Sequence, residues 1–117
     1  MKFLLLCQVN RNIFADALPQ AQAKMTLEMQ EFNHQLIQAG VLLEGGELAP
    51  PSAAQRVFAH NGRIKTEEGF SLKGDTQISA YYLIDVPGEP EATGWAAKCP
   101  VARIGGLAVR KVTYSPL

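Results

Sequence analysis

Residues 3–7 read Phe-Leu-Leu-Leu-Cys, and this stretch decides the fold. In an extended chain the first, third and fifth of these side chains lie on one face and the second and fourth on the other, and all five are apolar. A strand with one face in water alternates apolar with polar side chains instead. The sequence therefore predicts a strand over Lys2–Val9, in a sheet that is covered on both faces.

A long amphipathic helix is predicted after a connector over Asn10–Leu18. Pro19 suits the first turn of a helix, where a missing N–H leaves no hydrogen bond unmade. Apolar residues then recur at helical spacing as Met25, Met29, Phe32 and Leu36. Because Gly40 is a usual signal for a helix end, we predict a helix from Pro19 to about Ala39 with this stripe in the core.

Asn61-Gly62 is the strongest turn signal in the chain, since both central residues of a type I′ turn need positive φ. It predicts a hairpin of Gln55–His60 and Arg63–Thr66, followed by a polar loop over Glu67–Thr76. The other predicted elements are a strand over Val41–Leu48, a strand over Gln77–Val86, a helix that begins near Pro90 and ends at Pro100, and a strand over Leu107–Tyr114.

The predicted order is β-α-β, a hairpin, and β-α-β again, within a single domain over residues 1–117. This order is typical of the α+β ferredoxin-like fold, in which both helices cover one face of an antiparallel sheet. The opposite face would then expose more contiguous apolar surface than monomers usually carry. We therefore predict a homodimer in which two copies pack sheet to sheet.

The charge balance argues against two classes of partner. The 117 residues include 11 basic and 11 acidic side chains, so the net charge is zero. A nucleic-acid-binding protein or an electrostatic membrane anchor carries an excess of Lys and Arg. The first apolar run is also shorter than that of a secretory signal peptide, which makes the cytoplasm the expected location.

The cysteines and histidines predict no metal, cofactor or nucleophile site. Cys7 and Cys99 lie far apart in the sequence without the spacing of a zinc site or a disulfide scaffold. Cys7 falls in an apolar strand, and Cys99 at a helix C-terminus, where the helix dipole disfavours a thiolate. His34 is predicted on the solvent side of the first helix and His60 beside the hairpin turn.

Several motifs along the chain resemble those of YCII-related proteins, also known as DGPF-domain proteins. They are Met1-Lys-Phe-Leu-Leu-Leu6, Gln38-Ala-Gly-Val-Leu-Leu43, Glu47-Leu-Ala-Pro-Pro51, Tyr81-Tyr-Leu-Ile-Asp-Val86 and Trp95-Ala-Ala-Lys-Cys-Pro100. The resemblance implies a ferredoxin-like fold that dimerises through its sheets into an αβ barrel. It also implies kinship with muconolactone isomerase-like enzymes and with dehalogenases that use a His–Asp pair.

The residues used by those dehalogenases are absent at the matching positions. The block that reads Asp-Gly-Pro-Phe in the family corresponds to Thr66-Glu-Glu-Gly-Phe-Ser71, in which only Phe70 matches and Glu67 replaces the Asp. The first-helix His falls near Met29, and the Asp near the helix end falls near Gln38. The His–Asp chemistry is therefore not expected in this chain.

The candidate site consists of polar residues on strands that we expect to be covered on both faces. Glu44 is predicted as a general base, and Tyr81 as a hydrogen-bond donor to a developing oxyanion, in a cavity between two sheets. The predicted ligand contacts are Gln8 in the cavity and Arg56 and Phe70 at its mouth. In the alternative interpretation Glu44 pairs with Arg56 or Arg103 at the dimer seam.

Two functions fit these residues. The first is a dimer that binds a small molecule between its sheets, with weak acid/base activity on a cyclic or carbonyl substrate. The second is a non-catalytic binding or regulatory module whose apolar cavity or surface serves a partner. The altered block at Glu67–Ser71 favours the second.

Overall fold

A computed structural model describes residues 1–10, 16–69 and 76–116 of the chain. In these ranges the elements are β1 (Lys2–Asn10), α1 (Pro19–Gln38), β2 (Leu42–Glu47), a 3-10 turn (Pro51–Ala53), β3 (Gln55–His60), β4 (Arg63–Glu68), β5 (Thr76–Asp85), α2 (Glu89–Lys98), α3 (Val101–Ile104) and β6 (Gly106–Lys111).

The strand predicted from residues 3–7 lies inside an antiparallel sheet of order β2-β5-β1-β6. Its neighbours on the two sides are β5 and β6, both antiparallel to it, and β2 pairs with the far edge of β5. This strand order, with a helix after β1 and helices before β6, is that of a ferredoxin-like α+β fold. The fold predicted from the sequence is confirmed.

One face of the sheet forms the core together with the helices. Alternate residues of β1 are buried, and they are Phe3, Leu5, Cys7 and Val9. Phe32 and Leu36 of α1 and Ile84 of β5 belong to the same buried cluster. Because the α1 stripe recurs every three to four residues, it stays on the side of the helix that faces the sheet.

The other face of the sheet, which we call the open face, carries the remaining residues of the same strands. Leu4 and Leu6 of β1 are half-exposed, and so are Tyr81 and Leu83 of β5. The smallest extent of the molecule is 19 Å. That thickness holds one sheet and one layer of helices, since a helix with its side chains is about 10 Å across. The described helices thus cover one face of the sheet only.

The β3–β4 hairpin forms a separate two-stranded sheet. Its turn residues, Asn61 and Gly62, have φ values of 50° and 75°, as the Asn-Gly signal predicts. Every residue of both strands is exposed. The radius of gyration is 16.1 Å, whereas a compact chain of this length would have about 13 Å. The hairpin therefore projects from the rest of the domain.

Two predicted boundaries are wrong. β4 continues to Glu68, because Glu67 and Glu68 pair with residues of β3 across the hairpin. α2 ends at Lys98, just before Pro100 as predicted, but the sequence prediction missed the short helix α3 that follows. β6 ends at Lys111, whose partner Phe3 is close to the first residue of β1. Val112 N–H still donates to the Lys2 carbonyl oxygen at 2.9 Å, and the predicted continuation from there to Tyr114 is not a strand.

The predicted loop over Glu67–Thr76 lies mostly outside the described residues. Its first part belongs to β4, and Thr76 begins β5. Among the described residues, no helix is both long and apolar enough to cross a membrane.

Candidate functional site

The candidate site is built around a hydrogen bond between Tyr81 and Glu44 on the open face. Tyr81 Oη donates to Glu44 Oε1 at 2.9 Å. Glu44 lies opposite Leu83 in the register of β2 and β5, and Tyr81 is two residues before Leu83. The two side chains therefore meet diagonally across neighbouring strands.

A glycine makes room for this diagonal contact. Gly46 lies opposite Tyr81, and a Cβ at Gly46 would be 3.3 Å from Cε1 of the tyrosine ring. The ring can therefore lie along β2 with its hydroxyl over Glu44. The Tyr82 ring likewise lies against the neighbouring Gly45, where a Cβ would be 3.0 Å from Cδ1 of that ring.

The hydrogen bond with Glu44 raises the pKa of the Tyr81 phenol above its ordinary value, mainly because the protonated hydroxyl is the donor. The negative charge of the carboxylate acts in the same direction. Tyr81 therefore stays protonated and remains a donor at neutral pH.

The predicted ligand contacts are distributed over different parts of the molecule. Gln8 is half-exposed, falls on the same face as Leu4 and Leu6 in the alternation of β1, and borders a cavity of about 240 Å³ beside Gly106. Arg56 lies on the hairpin, 3.9 Å from the Glu67 carboxylate. Phe70 lies outside the described residues.

Neither arginine predicted to pair with Glu44 does so within one chain. Arg103 of α3 forms an ion pair with Glu28 of α1, on the helix side of the sheet. The Arg56 guanidinium lies 4.8 Å from the centroid of the Phe58 ring in its own hairpin. Within the described part of a single chain, Glu44 accepts a hydrogen bond from the Tyr81 hydroxyl.

The two cysteines, distant in the sequence, meet in the core. Both are buried and unbridged. The neighbouring Cys99 thiol and burial together raise the pKa of the Cys7 thiol above its ordinary value. The sequence prediction considered Cys99 only through the helix dipole and missed this neighbour.

Both histidines are exposed, as the sequence predicts, His34 on α1 and His60 beside the hairpin turn. Among the residues that the structure describes, no group of three His, Cys, Asp or Glu side chains could hold a metal ion.

The sequence analysis missed a second tyrosine bond on the helix side of the sheet. Tyr82 Oη donates to Asn33 Oδ1 at 2.6 Å, and the two residues belong to β5 and α1. A signal was present in the strand alternation, since a tyrosine next to Tyr81 must face the helices. Its buried hydroxyl then needs an acceptor on the helix that covers it.

The family model of the YCII-related domain matches residues 1–115. The chain belongs to the YCII-related domain family. No curated protein matches it. In this YCII-related domain, the position expected for the first-helix histidine falls near Met29, which packs partly buried against the core. Gln38, near the position expected for the aspartate, is exposed. The Glu44–Tyr81 pair therefore remains the candidate site of this chain.

Proposed function

We propose that this YCII-related protein is a homodimer that binds a small organic molecule between two sheets, beside Glu44 and Tyr81. The observation that carries the proposal is the 2.9 Å hydrogen bond from Tyr81 to Glu44 on the open face, beside the half-exposed side chains of Leu4, Leu6 and Leu83. A carboxylate and a phenol that converge on an apolar surface are the polar groups that orient a ligand in a largely hydrophobic site.

The composition of the open face supports dimerisation through it. Its apolar members are half-exposed in the single chain, and they are Leu4, Leu6, Ile78, Leu83 and Ala108. They lie on three adjacent strands and so form one patch. A second copy placed face to face would remove this patch from water and leave the Glu44–Tyr81 pair lining the space between the sheets.

The projecting hairpin supports the same assembly. An isolated two-stranded hairpin is marginally stable in water. Val57 and Ile64, each more than half exposed, share one face of this hairpin. A partner copy supplies a surface on which that apolar face can pack.

In such a cavity the pair could transfer a proton. The Glu44 carboxylate would take a proton from the carbon next to a carbonyl of a cyclic or acyclic substrate. The negative charge then develops on the carbonyl oxygen, where the Tyr81 hydroxyl would donate. If the substrate carries a β,γ double bond, the anion is a dienolate, and return of the proton from Glu44 to its γ-carbon would move the double bond into conjugation and complete an isomerisation.

A second candidate function is that of a non-catalytic binding or regulatory module. It is favoured by one observation: the Tyr81 hydroxyl already donates a hydrogen bond to Glu44, so both side chains have a hydrogen-bond partner without a substrate. A ligand would then have to displace an existing hydrogen bond before the phenol could serve it.

Sedimentation velocity tests the assembly, and a thermal-shift screen with lactones and aromatic acids tests binding. We expect a dimer at micromolar concentration and at least one stabilising compound, whose effect is lost in Glu44→Gln and Tyr81→Phe. Glu47→Gln is the matched control, because Glu47 lies opposite Ala80 and so belongs to the other face of β2. A monomer, or a compound whose effect survives both open-face substitutions, would contradict the proposal.

The two candidate functions are separated by incubating the bound compound with the protein in D2O. Deuterium incorporation next to the carbonyl, detected by NMR and abolished in Glu44→Gln, would show proton transfer. Binding without incorporation would support the module.

A further inference from the structure

A cavity of about 440 Å³ lies on the helix side of the sheet, away from the Glu44–Tyr81 pair. Its walls come from α1 and from the ends of β2 and β5. The volume is in the range of about 300–1,000 Å³ that is usual for small-molecule sites. The function proposed above does not use this cavity.

The wall formed by α1 combines two adaptable apolar side chains with the polar side chains of Thr26, Gln30 and Asn33. Met25 and Met29 are one helical turn apart and both border the cavity. Methionine side chains are unbranched and polarisable, so they can adjust to ligands of different shape. This wall suits the apolar body of a small organic molecule.

A single carboxylate supplies the charge on the opposite side. Among the described residues that border the cavity, Glu47 is the only charged one. It lies on the edge strand β2, and its side chain is exposed, which places it at the rim. A rim that is negative, with apolar methionine side chains behind it, favours a ligand that has a cationic head and an apolar body.

A second acceptor borders the same cavity. The side-chain oxygen Oε1 of Gln77 is buried and has no hydrogen-bond partner within the described part of the chain. Burying an acceptor without a hydrogen-bond partner costs free energy, and a ligand N–H that donates to it would recover part of that cost. The terminal torsion of glutamine is broad, so a small rotation can turn this oxygen toward a ligand N–H.

We propose that the cavity binds a small primary amine with an apolar body. The ammonium group would lie between the Glu47 carboxylate and the Gln77 amide oxygen, and the body would lie against Met25 and Met29. An ammonium carries the positive charge that the Glu47 carboxylate attracts. Its N–H groups can also donate to Gln77 Oε1, which has no partner within the described part of the chain. An alcohol supplies no charge, and the Glu47 carboxylate would repel a ligand carboxylate.

Three probes of similar size test the charge preference. They are 2-phenylethylamine, 2-phenylethanol and 3-phenylpropionate, with binding followed by isothermal titration. We expect the amine to bind about fivefold more tightly than the alcohol, the ratio that corresponds to a partly solvated ion pair of about 1 kcal/mol. The carboxylate is expected to bind more weakly than either. Equal affinities for the three probes would overturn the proposal.

Glu47→Gln should remove the preference for the amine without changing the affinity for the alcohol. Glu44→Gln is the matched control, because it removes the same charge three residues away on the opposite face, and it should leave amine binding unchanged. Loss of amine binding in Glu44→Gln, or no effect in Glu47→Gln, would show that the amine binds elsewhere.

The location is tested directly by methyl NMR of the methionines. The chain contains three methionines, and Met25 and Met29 border the cavity while Met1 does not. Titration of 2-phenylethylamine into protein labelled with 13C at the methionine methyl groups should shift the signals of Met25 and Met29 and leave that of Met1 in place. Shifts at Met1 alone, or at no methionine, would contradict the proposed site.

Discussion

Tyr82 and Asn33 are joined by a 2.6 Å hydrogen bond that fixes β5 to α1 across the core. The Tyr82 residue is 6% exposed, and its ring packs edge-on against Phe32 with centroids 5.5 Å apart. The next residue in the chain, Tyr81, makes its own hydrogen bond on the open face. The two tyrosines therefore offer the same chemical group in a buried and in an exposed setting.

Replacing Tyr82 by Phe should destabilise the fold more than replacing Tyr81 by Phe. Tyr82→Phe keeps the ring packing but leaves the Asn33 oxygen without its donor, at a cost of about 1–2 kcal/mol. Tyr81→Phe removes a bond that water can replace, so its free energy of unfolding should change much less. Urea denaturation of both variants measures the difference, and equal losses would show that the core bond adds nothing.

The stability of the fold should decrease above about pH 10 through Tyr82. Burial is the main reason that the pKa of Tyr82 is raised above the value of the unfolded chain. The stabilisation by the protonated phenol is therefore complete below the unfolded pKa and is lost as the pH rises through the folded one. The expected slope is about 1.4 kcal/mol per pH unit for one proton.

Urea unfolding at pH 9, 10 and 11 measures this slope. The difference between the native protein and Tyr82→Phe isolates the contribution of Tyr82, because the other titrating groups are common to both. Parallel pH profiles would contradict the prediction.

Local periodicity was sufficient to predict most of the fold. The α1 stripe and the Asn61-Gly62 turn depend on neighbouring residues, and both are found where the sequence places them. The strand through residues 3–7 was recognised because both of its faces are apolar. The alternation in β5 likewise assigned Tyr81 to the face away from the helices.

Features that depend on distant residues could not be predicted in this way. Cys7 and Cys99 meet because α2 returns over β1, a contact that no spacing in the sequence encodes. The end of β6 at Lys111 depends on where β1 begins. The helix-side cavity combines Glu47 with residues of α1 and β5, so it exists only in the folded chain.

Gly105 should tolerate no side chain. A Cβ at this position would be 2.0 Å from the backbone carbonyl oxygen of Gln8, so the turn after α3 or the end of β1 would have to move. We expect Gly105→Ala to lower the free energy of unfolding by more than about 3 kcal/mol, the range in which large single-mutation effects lie.

Gly106→Ala is the matched control, since a Cβ there would contact nothing within 4 Å. Its free energy of unfolding should stay within about 1 kcal/mol of the native value. If the two alanine variants unfold at the same urea concentration, the close approach to Gln8 is not a constraint on the fold.

The hairpin should contribute to the proposed dimer through Ile64. This residue is 74% exposed in the single chain, so Ile64→Ser should hardly change the stability of a monomer. If its face packs on the partner, the dimer dissociation constant should rise about tenfold, since burial of an isoleucine contributes about 1.5 kcal/mol or more. Lys65→Ser, on the opposite face of the hairpin, should leave the constant unchanged in sedimentation equilibrium.

Glu44→Gln decides what the carboxylate does in the proposed dimer. Within one chain Glu44 is bonded to Tyr81, and Arg103 is engaged by Glu28. No arginine in the described part of the chain is paired with Glu44, so pairing of the open faces would remove the Glu44 charge from water. Glutamine keeps an oxygen that can accept the hydrogen bond from Tyr81, but it carries no charge. The Glu44→Gln dimer should therefore be as stable as the native dimer or more stable. Binding of a ligand between the sheets should weaken.

Sedimentation equilibrium of the native protein, Glu44→Gln and Tyr81→Phe provides the measurement. Tyr81→Phe leaves the carboxylate charged and without its donor, so this variant should form the weaker dimer of the two. The opposite order, with Glu44→Gln dissociating about tenfold or more readily than the native protein, would show that a cation of the partner copy pairs with Glu44. Such a loss would exceed 1.4 kcal/mol, and it would arise because the cation is left buried and unpaired. In that case Glu44 stabilises the dimer interface, and the acid/base role proposed for it would be wrong.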